Sequence, residues 1–192
     1  MYKKYNFPLN LFLILEHMNV SVYSSKYLLP NHYVLFTNSS WIFLLNQIFK
    51  NEFFFSNSYL VDASCVDSLK YNNLIPETEL FLKKNRILLF YIYYMYYLKL
   101  RLTVVTFFNF NKSEAITSID NIYKNASWLE RELGEMFNVP FSFKKDMRKL
   151  LLDYSKNEAP MLKNFNSDGV SDVFYNFFED QVTFHSNDLI EL

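Results

Sequence analysis

Apolar residues run almost without interruption from residue 87 to residue 108, with charges only at Lys99 and Arg101. A membrane-spanning helix needs about twenty consecutive apolar residues, which this stretch does not supply. Its residues are Tyr, Phe, Ile, Val and Thr, which favour β-strands. The pattern therefore predicts neighbouring central strands over Tyr91–Leu98 and Arg101–Phe108, covered on both faces. A membrane anchor over Leu88–Leu100 and a buried helix stay open as alternatives.

Shorter apolar segments predict the elements around this strand pair. Tyr33–Thr37 is typical of a short strand, and residues 39–51 of a helix capped by Ser39 or Ser40. Residues 53–67 predict another strand that ends in polar residues. Because strands and helices do not alternate regularly, the expected fold is α+β, with a two-layer mixed β-sheet backed by helices on one side. The apolar run Leu9–Leu15 is interpreted as a core segment, since no cleavage site follows it.

Residues 127–140 carry the signals of a three-turn helix. Ser127 and Glu130 match the S-x-x-E capping box, and Asn138 stands where the helix should stop. On a helical wheel Glu132 falls within the apolar face. A carboxylate there needs a cation, so we expect Glu132 to lie buried beside Arg148 or beside an arginine of a neighbouring chain. The alternative is a solvated residue at the edge of that face.

Composition excludes several classes of function. The single cysteine allows no intrachain disulfide and too few thiolates for an iron-sulfur cluster, and two glycines allow no phosphate-binding glycine loop. A formal net charge of -1 gives no field that would attract nucleic acid. His17, His32 and His185 lack the spacing of metal ligands. A hydrolase built on Glu130, Glu132 and Glu135 is disfavoured, because no nucleophile or metal converges on these carboxylates.

Two segments together resemble a known family. They are A-S-W-L-E-R-E-L-G-E-M-F, residues 126–137, and K-K-D-M-R-K-L-L-L-D-Y, residues 144–154. The pattern is similar to the W-x-E-R-E and D-L-R-R-I-L-x-D-Y motifs of the 30-kDa subunit family of NADH:ubiquinone oxidoreductase, respiratory complex I. Upstream, L-V-D-A-S-C-V-D at residues 60–67 resembles a strand end of that family. The matching motif positions are Glu130, Arg131, Glu132, Glu135, Met136, Phe137, Asp146, Arg148, Leu151, Asp153 and Tyr154.

Three places depart from the family pattern. Gly134 and Glu135 stand where Trp-Asp is usual, and Lys144-Lys145 stands where His-Pro is usual. The segment from Glu158 to Phe165 lacks a histidine and an arginine of the family.

The resemblance implies a structural subunit without an active site of its own. Such a subunit binds no cofactor, because FMN and the iron-sulfur clusters belong to partner subunits. It packs against the 49-kDa subunit and neighbouring iron-sulfur subunits, with no direct membrane span. The resemblance also implies the matrix-facing peripheral arm at the mitochondrial inner membrane. A composition rich in Phe, Tyr and Asn, whose codons are rich in A and T, suits an organelle gene.

The C-terminal part differs in charge from the rest. Residues 155–192 hold seven acidic residues and two lysines, and short strands are expected at 172–178 and 181–185. We therefore expect a globular core over residues 1–154 and an appendage over residues 155–192, which the resemblance implies is an extended docking arm. A disordered tail is the alternative. The aromatic residues that we expect to anchor the arm are Phe165, Phe174, Tyr175 and Phe178.

Overall fold

A five-stranded mixed sheet forms the centre of the protein in a computed structural model, which describes residues 22–29, 31–51, 55, 57–69, 86–110, 115–154, 158–166, 169 and 171–186. The strand order is β1-β2-β5-β4-β3, in which β2 and β5 are parallel and the other neighbours antiparallel. The strands are β1 (Val22–Leu29), β2 (His32–Asn38), β3 (Ser58–Asp67), β4 (Ile87–Met95) and β5 (Leu100–Phe108).

The predicted strand pair is confirmed as β4 and β5, but β4 covers Ile87–Met95 and not Tyr91–Leu98. The turn that joins the two strands takes residues 96–99. Strand β5 is the middle strand and is buried at nearly every position, whereas β4 buries alternate residues and leaves the others half-buried. The alternative of a membrane helix over Leu88–Leu100 is wrong, because these residues form two strands and their turn. Among the described residues no helix has the length and apolar character to cross a membrane. The segment Leu9–Leu15 lies outside the described residues.

Two helices accompany the sheet in the described part of the chain. Helix α1 (Ile42–Asn51) follows a 3-10 turn over Ser39–Trp41, and helix α2 (Ala126–Phe137) follows Asn125. The predicted cap at Ser39 or Ser40 is wrong, since both residues lie inside the 3-10 turn. The α+β fold with a mixed sheet is confirmed. The buried residues that α1 contributes to the core include Ile42, Leu45, Ile48 and Phe49.

A β-bulge in β3 connects the sheet to the start of α2. The register of β3 against β4 shifts between Leu60 and Asp62, so Val61 and Asp62 both face outward. Asn125 Nδ2 donates to the Leu60 carbonyl at 2.6 Å. An asparagine directly before a helix usually caps it through its side chain. Here that side chain binds the strand instead, which fixes the start of α2 on β3.

Residues 158–166 attach to this core through Asp67, at the end of β3. The buried Asp67 carboxylate accepts from Arg86 at 2.7 Å and from the Lys163 amide at 3.0 Å. A separate short sheet pairs β6 (Ile116–Thr117) with β7 (Phe141–Ser142). Further on, β8 (Ser171–Asn176) and β9 (Gln181–Ser186) pair as an antiparallel hairpin, where two strands were expected. The division of the chain at residue 154 stays a prediction.

Candidate functional site

Two very short parallel strands bring together the first group of motif residues. Strand β6 (Ile116–Thr117) pairs with β7 (Phe141–Ser142), and the Ser118 amide donates to the Ser142 carbonyl at 3.0 Å. Ser118 follows β6 directly, and Lys144 lies two residues beyond β7. Both side chains reach the same carboxylate, which belongs to Glu130 of α2.

The Glu130 side chain is completely buried and forms an ion pair. Its Oε2 accepts from Ser118 Oγ at 2.5 Å and from Lys144 Nζ at 2.9 Å, and its Oε1 accepts from the Ile119 amide at 2.8 Å. Lys144 is also fully buried at its side chain. The predicted capping box is therefore wrong. Ser127 lies within the helix, and Glu130 joins α2 to the segments on both sides of it.

Glu132 is exposed, so the prediction that it is buried beside Arg148 within this chain is wrong. Arg148 binds Asp146 instead, with Nε and Nη2 donating at 3.0 and 2.9 Å. The buried ion pair expected on this helix exists, but its carboxylate is Glu130 and its cation is Lys144. An arginine of a partner chain as the neighbour of Glu132 stays a prediction.

Arg131 and Glu135, one turn apart on α2, hold the backbone of the second motif segment. Arg131 donates to the carbonyls of Arg148 and Lys149 at 2.8 and 3.2 Å. Glu135 accepts from the amides of residues 150, 151 and 152. Partial burial alone would raise the pKa of the Glu135 carboxyl, but the three amides outweigh it and hold the pKa below its usual value. We call residues 143–154 the clamped loop.

The remaining motif residues lie on the clamped loop. Asp146 pairs with Arg148 and lies 3.6 Å from Arg131, and the hydrogen bonds from Arg148 hold the pKa of Asp146 well below its usual value. The Asp153 carbonyl accepts from Lys149 Nζ at 2.9 Å. Tyr154 is exposed, and its hydroxyl donates to the Lys149 carbonyl at 3.1 Å. Apart from the contact between Asp146 and Arg131 of α2, these contacts lie within the loop and shape its backbone.

Two departures from the family pattern have an explanation in these contacts. A Cβ at Gly134 would lie 3.0 Å from Cε of Met147, so the Met147 side chain covers the space beside the glycine. Lys144 forms the buried ion pair with Glu130, while its neighbour Lys145 is exposed. Sequence reasoning missed Ser118 and Lys144 as partners of Glu130. The signal that could have identified Lys144 is the Lys-Lys pair at a place where the family usually has His-Pro.

Side chains that could bind a metal ion do not group together in the described part of the chain. His32 Nε2 lies 2.9 Å from Thr103 Oγ1, and burial followed by the charge of Arg101 lowers the pKa of His32. Cys65 is buried, which raises the pKa of its thiol far above the usual value. Among the described residues no three His, Cys, Asp or Glu side chains group as a metal site would require.

The hairpin of β8 and β9 presents most of the expected anchor residues to solvent. Its register places Val173 opposite Phe184 and Tyr175 opposite Val182, which makes one face apolar. All four of these side chains are about half exposed, and Phe178 at the turn is fully exposed. Phe174 lies on the other face in contact with the His185 ring. Phe165 is half-buried, outside the hairpin.

Comparison with known proteins identifies relatives over most of the chain. Residues 35–171 match the sequence model of the family described as "Respiratory-chain NADH dehydrogenase, 30 Kd subunit". NADH-ubiquinone oxidoreductase subunit 9 of Paramecium primaurelia is 36% identical over 189 residues, which cover 98% of this chain and 88% of that protein. The protein of the same name in Paramecium tetraurelia is 35% identical over 175 residues, 91% of this chain and 82% of that protein.

Solved structures share the fold. A trypsin-resistant fragment of Nqo5 superposes with a TM-score of 0.56 at 15% identity, covering 72% of this chain and 98% of the fragment. A chain of the archaeal membrane-bound sulfane sulfur reductase gives a TM-score of 0.62 at 19% identity, covering 85% of this chain and 87% of its own length. From the family match and the Paramecium relatives, the chain belongs to the 30-kDa subunit family of respiratory-chain NADH dehydrogenase.

Proposed function

We propose that this chain is a non-catalytic structural subunit of the peripheral arm of NADH:ubiquinone oxidoreductase. It supports electron transfer from NADH to quinone by scaffolding the quinone-reducing module. It binds no cofactor itself, and FMN and the iron-sulfur clusters belong to partner subunits. The observation that carries this proposal is that charged side chains of the motif bond other segments of the same chain. Glu130, Arg131 and Glu135 are all engaged in holding segments of the chain together, as expected of residues that shape a scaffold.

The partners that we propose are the 49-kDa subunit and the neighbouring iron-sulfur subunits. The exposed apolar face of the hairpin supports this part of the proposal, because a two-stranded hairpin is barely stable in water without a covering surface. Three acidic residues and no lysine or arginine occur between residues 171 and 186. A surface that covers this hairpin is therefore apolar with basic residues at its border.

The proposed location is the matrix side of the mitochondrial inner membrane. The name of the Paramecium relatives, an NADH-ubiquinone oxidoreductase subunit, supports it. The A- and T-rich codon usage implied by the abundance of Phe, Tyr and Asn supports it as well. Fractionation of mitochondria should place the chain with the inner membrane on the matrix side.

Truncation of the chain tests the docking arm. A chain that ends at Ser155 also loses the bonds from residues 161 and 163 to Met136 and Asp67, so its core should be weakened. The sharper variant ends at Asn166, which keeps these bonds and removes residues 167–192 with the hairpin. We expect this variant to keep its circular dichroism spectrum and cooperative unfolding, yet to be absent from the complex on native gels.

The same native gel provides the control for the docking role of the hairpin and the result that could contradict it. A full-length chain with Phe178→Ser keeps the hairpin strands but lacks the fully exposed ring at the turn. We expect intermediate incorporation for it, because aromatic anchors dominate interface energies. If the chain that ends at Asn166 enters the complex at normal levels, with normal NADH:quinone activity, the docking role of the hairpin has to be abandoned.

A further inference from the structure

The clamped loop is an irregular segment whose backbone is fixed from one side. Arg131 occupies two of its carbonyls and Glu135 three of its amides, so these five backbone groups of residues 148–152 are bonded within the chain. A loop of this kind is normally mobile, since it lacks a regular ladder of hydrogen bonds. Here the two α2 side chains replace that ladder. A partner that contacts residues 148–152 therefore meets side chains, because the bonded backbone groups there are not available for strand addition.

Large apolar side chains of the clamped loop face solvent. The exposed fraction is 83% for Phe143, 61% for Leu151, 70% for Tyr154 and 44% for Met147. Trp128, whose ring lies beside the Arg131 guanidinium, is also exposed on the neighbouring helix. Single exposed apolar residues are common, but several on one fixed segment indicate an interaction surface.

Phe143 has an unfavourable backbone conformation. Its φ angle is 60°, in the left-handed region that bulky residues rarely adopt. The residues on both sides of Phe143 explain this φ angle. Ser142 belongs to β7, and Lys144 turns inward to its ion pair with Glu130, so the chain bends at Phe143 and its ring points outward. Glycine would adopt this φ without cost. The phenylalanine is strained there while its ring remains in solvent, a combination found at binding sites.

Exposed basic residues alternate with these apolar residues along the loop. Lys145 is exposed, and the side chain of Arg148 is 75% exposed. The nearby acid, Asp146, is paired with Arg148 and lies close to Arg131. Two further acidic residues, Glu132 on α2 and Asp153 in the loop, are exposed. A two-fold symmetric contact with a second copy would use the same surface on both sides, so it would add no new carboxylates to pair with Lys145 and Arg148.

We infer that the clamped loop is a second docking surface, distinct from the hairpin, for another subunit of the same complex. That subunit presents an apolar pocket for Phe143, with carboxylates at the border opposite Lys145 and Arg148. The inference rests on the proposed scaffold role, because it requires a multisubunit assembly. The backbone strain at Phe143 is then offset by contacts that form only on docking.

The test is a glycine substitution with a matched control, both in the full-length chain. Phe143→Gly removes the strain and the ring together. Lys99→Gly removes the same kind of strain, φ 47°, at the turn between β4 and β5, away from the loop. Each variant is expressed together with a differently tagged wild-type chain, and the ratio of the two in the purified complex is measured by mass spectrometry.

We expect both variants to unfold at a higher temperature than wild type as isolated chains. Phe143→Gly should be at least about tenfold under-represented in the complex, since loss of a central aromatic anchor typically weakens binding by that factor or more. Lys99→Gly should be incorporated equally with wild type. Lys145→Glu should also be under-represented, because it places a carboxylate opposite carboxylates.

Three results would overturn the inference. Equal incorporation of Phe143→Gly would show that no partner uses the ring. A lower unfolding temperature for Phe143→Gly would show that the ring stabilises the isolated chain instead. If the wild-type chain sediments as a dimer and Phe143→Gly sediments as a monomer, the occupant is a second copy of the chain. If the chain ending at Asn166 still fails to assemble while Phe143→Gly assembles normally, only the second surface is rejected and the scaffold role stands.

Discussion

The buried pair of Glu130 and Lys144 gives the sharpest prediction for stability. Both side chains are completely buried, and the two charged atoms are 2.9 Å apart. At an effective dielectric constant of about 20, charges at this distance attract by about 6 kcal/mol. Part of this attraction is offset by the cost of removing both charges from water. Removing one partner leaves the other charge buried, for which about 3–5 kcal/mol is typical.

We therefore expect Lys144→Met to lower the free energy of unfolding by about 3–5 kcal/mol. Glu130 keeps its bonds from Ser118 and from the Ile119 amide, which places the expected loss toward the lower end of that range. The measurement is urea unfolding of the isolated chain, followed by circular dichroism and by tryptophan fluorescence. Coincidence of the two transitions is required before the free energies are compared.

A double-mutant cycle and a neighbouring lysine complete this experiment. Glu130→Gln with Lys144→Met removes both charges, so we expect it to cost less than the sum of the single changes, with a coupling of about 2–3 kcal/mol. Lys145→Met at the exposed neighbour should change stability by no more than about 0.5 kcal/mol. A loss below about 1 kcal/mol for Lys144→Met, at the scale of an exposed pair, would refute the reasoning.

Three further predictions concern other carboxylates. Glu135→Ala should lower the unfolding free energy by about 1–3 kcal/mol and speed hydrogen exchange at the amides of residues 150–152, since these lose their acceptor; unchanged exchange would contradict the clamp. The pKa of Asp67 is set by burial, which raises it, and by bonds from Arg86 and two amides, which lower it further than burial raises it. The Asp67 carboxylate therefore stabilises the chain above about pH 4, and this effect is lost as the pH falls through its folded pKa. The difference in unfolding free energy between wild type and Asp67→Asn should become smaller in acid. A difference that does not change with pH would contradict this assignment. Glu132→Gln should change the stability of the isolated chain by less than about 0.5 kcal/mol, and a larger loss in thermal unfolding would restore an intrachain role for it.

The strand pair and the end of α2 could be predicted because their signals are local. Residues 91–108 combine β-forming side chains with a charged turn, and a pair of strands accommodates both. Asn138 ends α2 in the left-handed conformation, φ 55°, which asparagine tolerates better than most residues. At both places the conformation that the residues favour locally is also the conformation they have in the fold. Contacts with the rest of the chain therefore did not change the predicted structure.

The ion pair could not be assigned from the sequence because its partners come from outside the helix. A helical wheel places Glu132 inside when Trp128 is counted as part of the apolar face. In the structure Trp128 is exposed and the buried face is rotated toward Leu133 and Phe137, which includes Glu130. Ser118 and Lys144 reach that face only because β6 and β7 pair. The S-x-x-E pattern was compatible with capping but did not require it.

The parallel pairing of β2 with β5 affects how the chain folds during synthesis. His32 pairs with Arg101, 69 positions later, whereas β3, β4 and β5 follow one another as antiparallel neighbours. Contacts between distant segments form slowly, because a long loop must close first. The hairpin of β1 and β2 therefore leaves the ribosome well before the strand that will cover its edge. During that interval the edge of β2 that will pair with β5 is unpaired, so the nascent chain is prone to aggregation until β5 emerges.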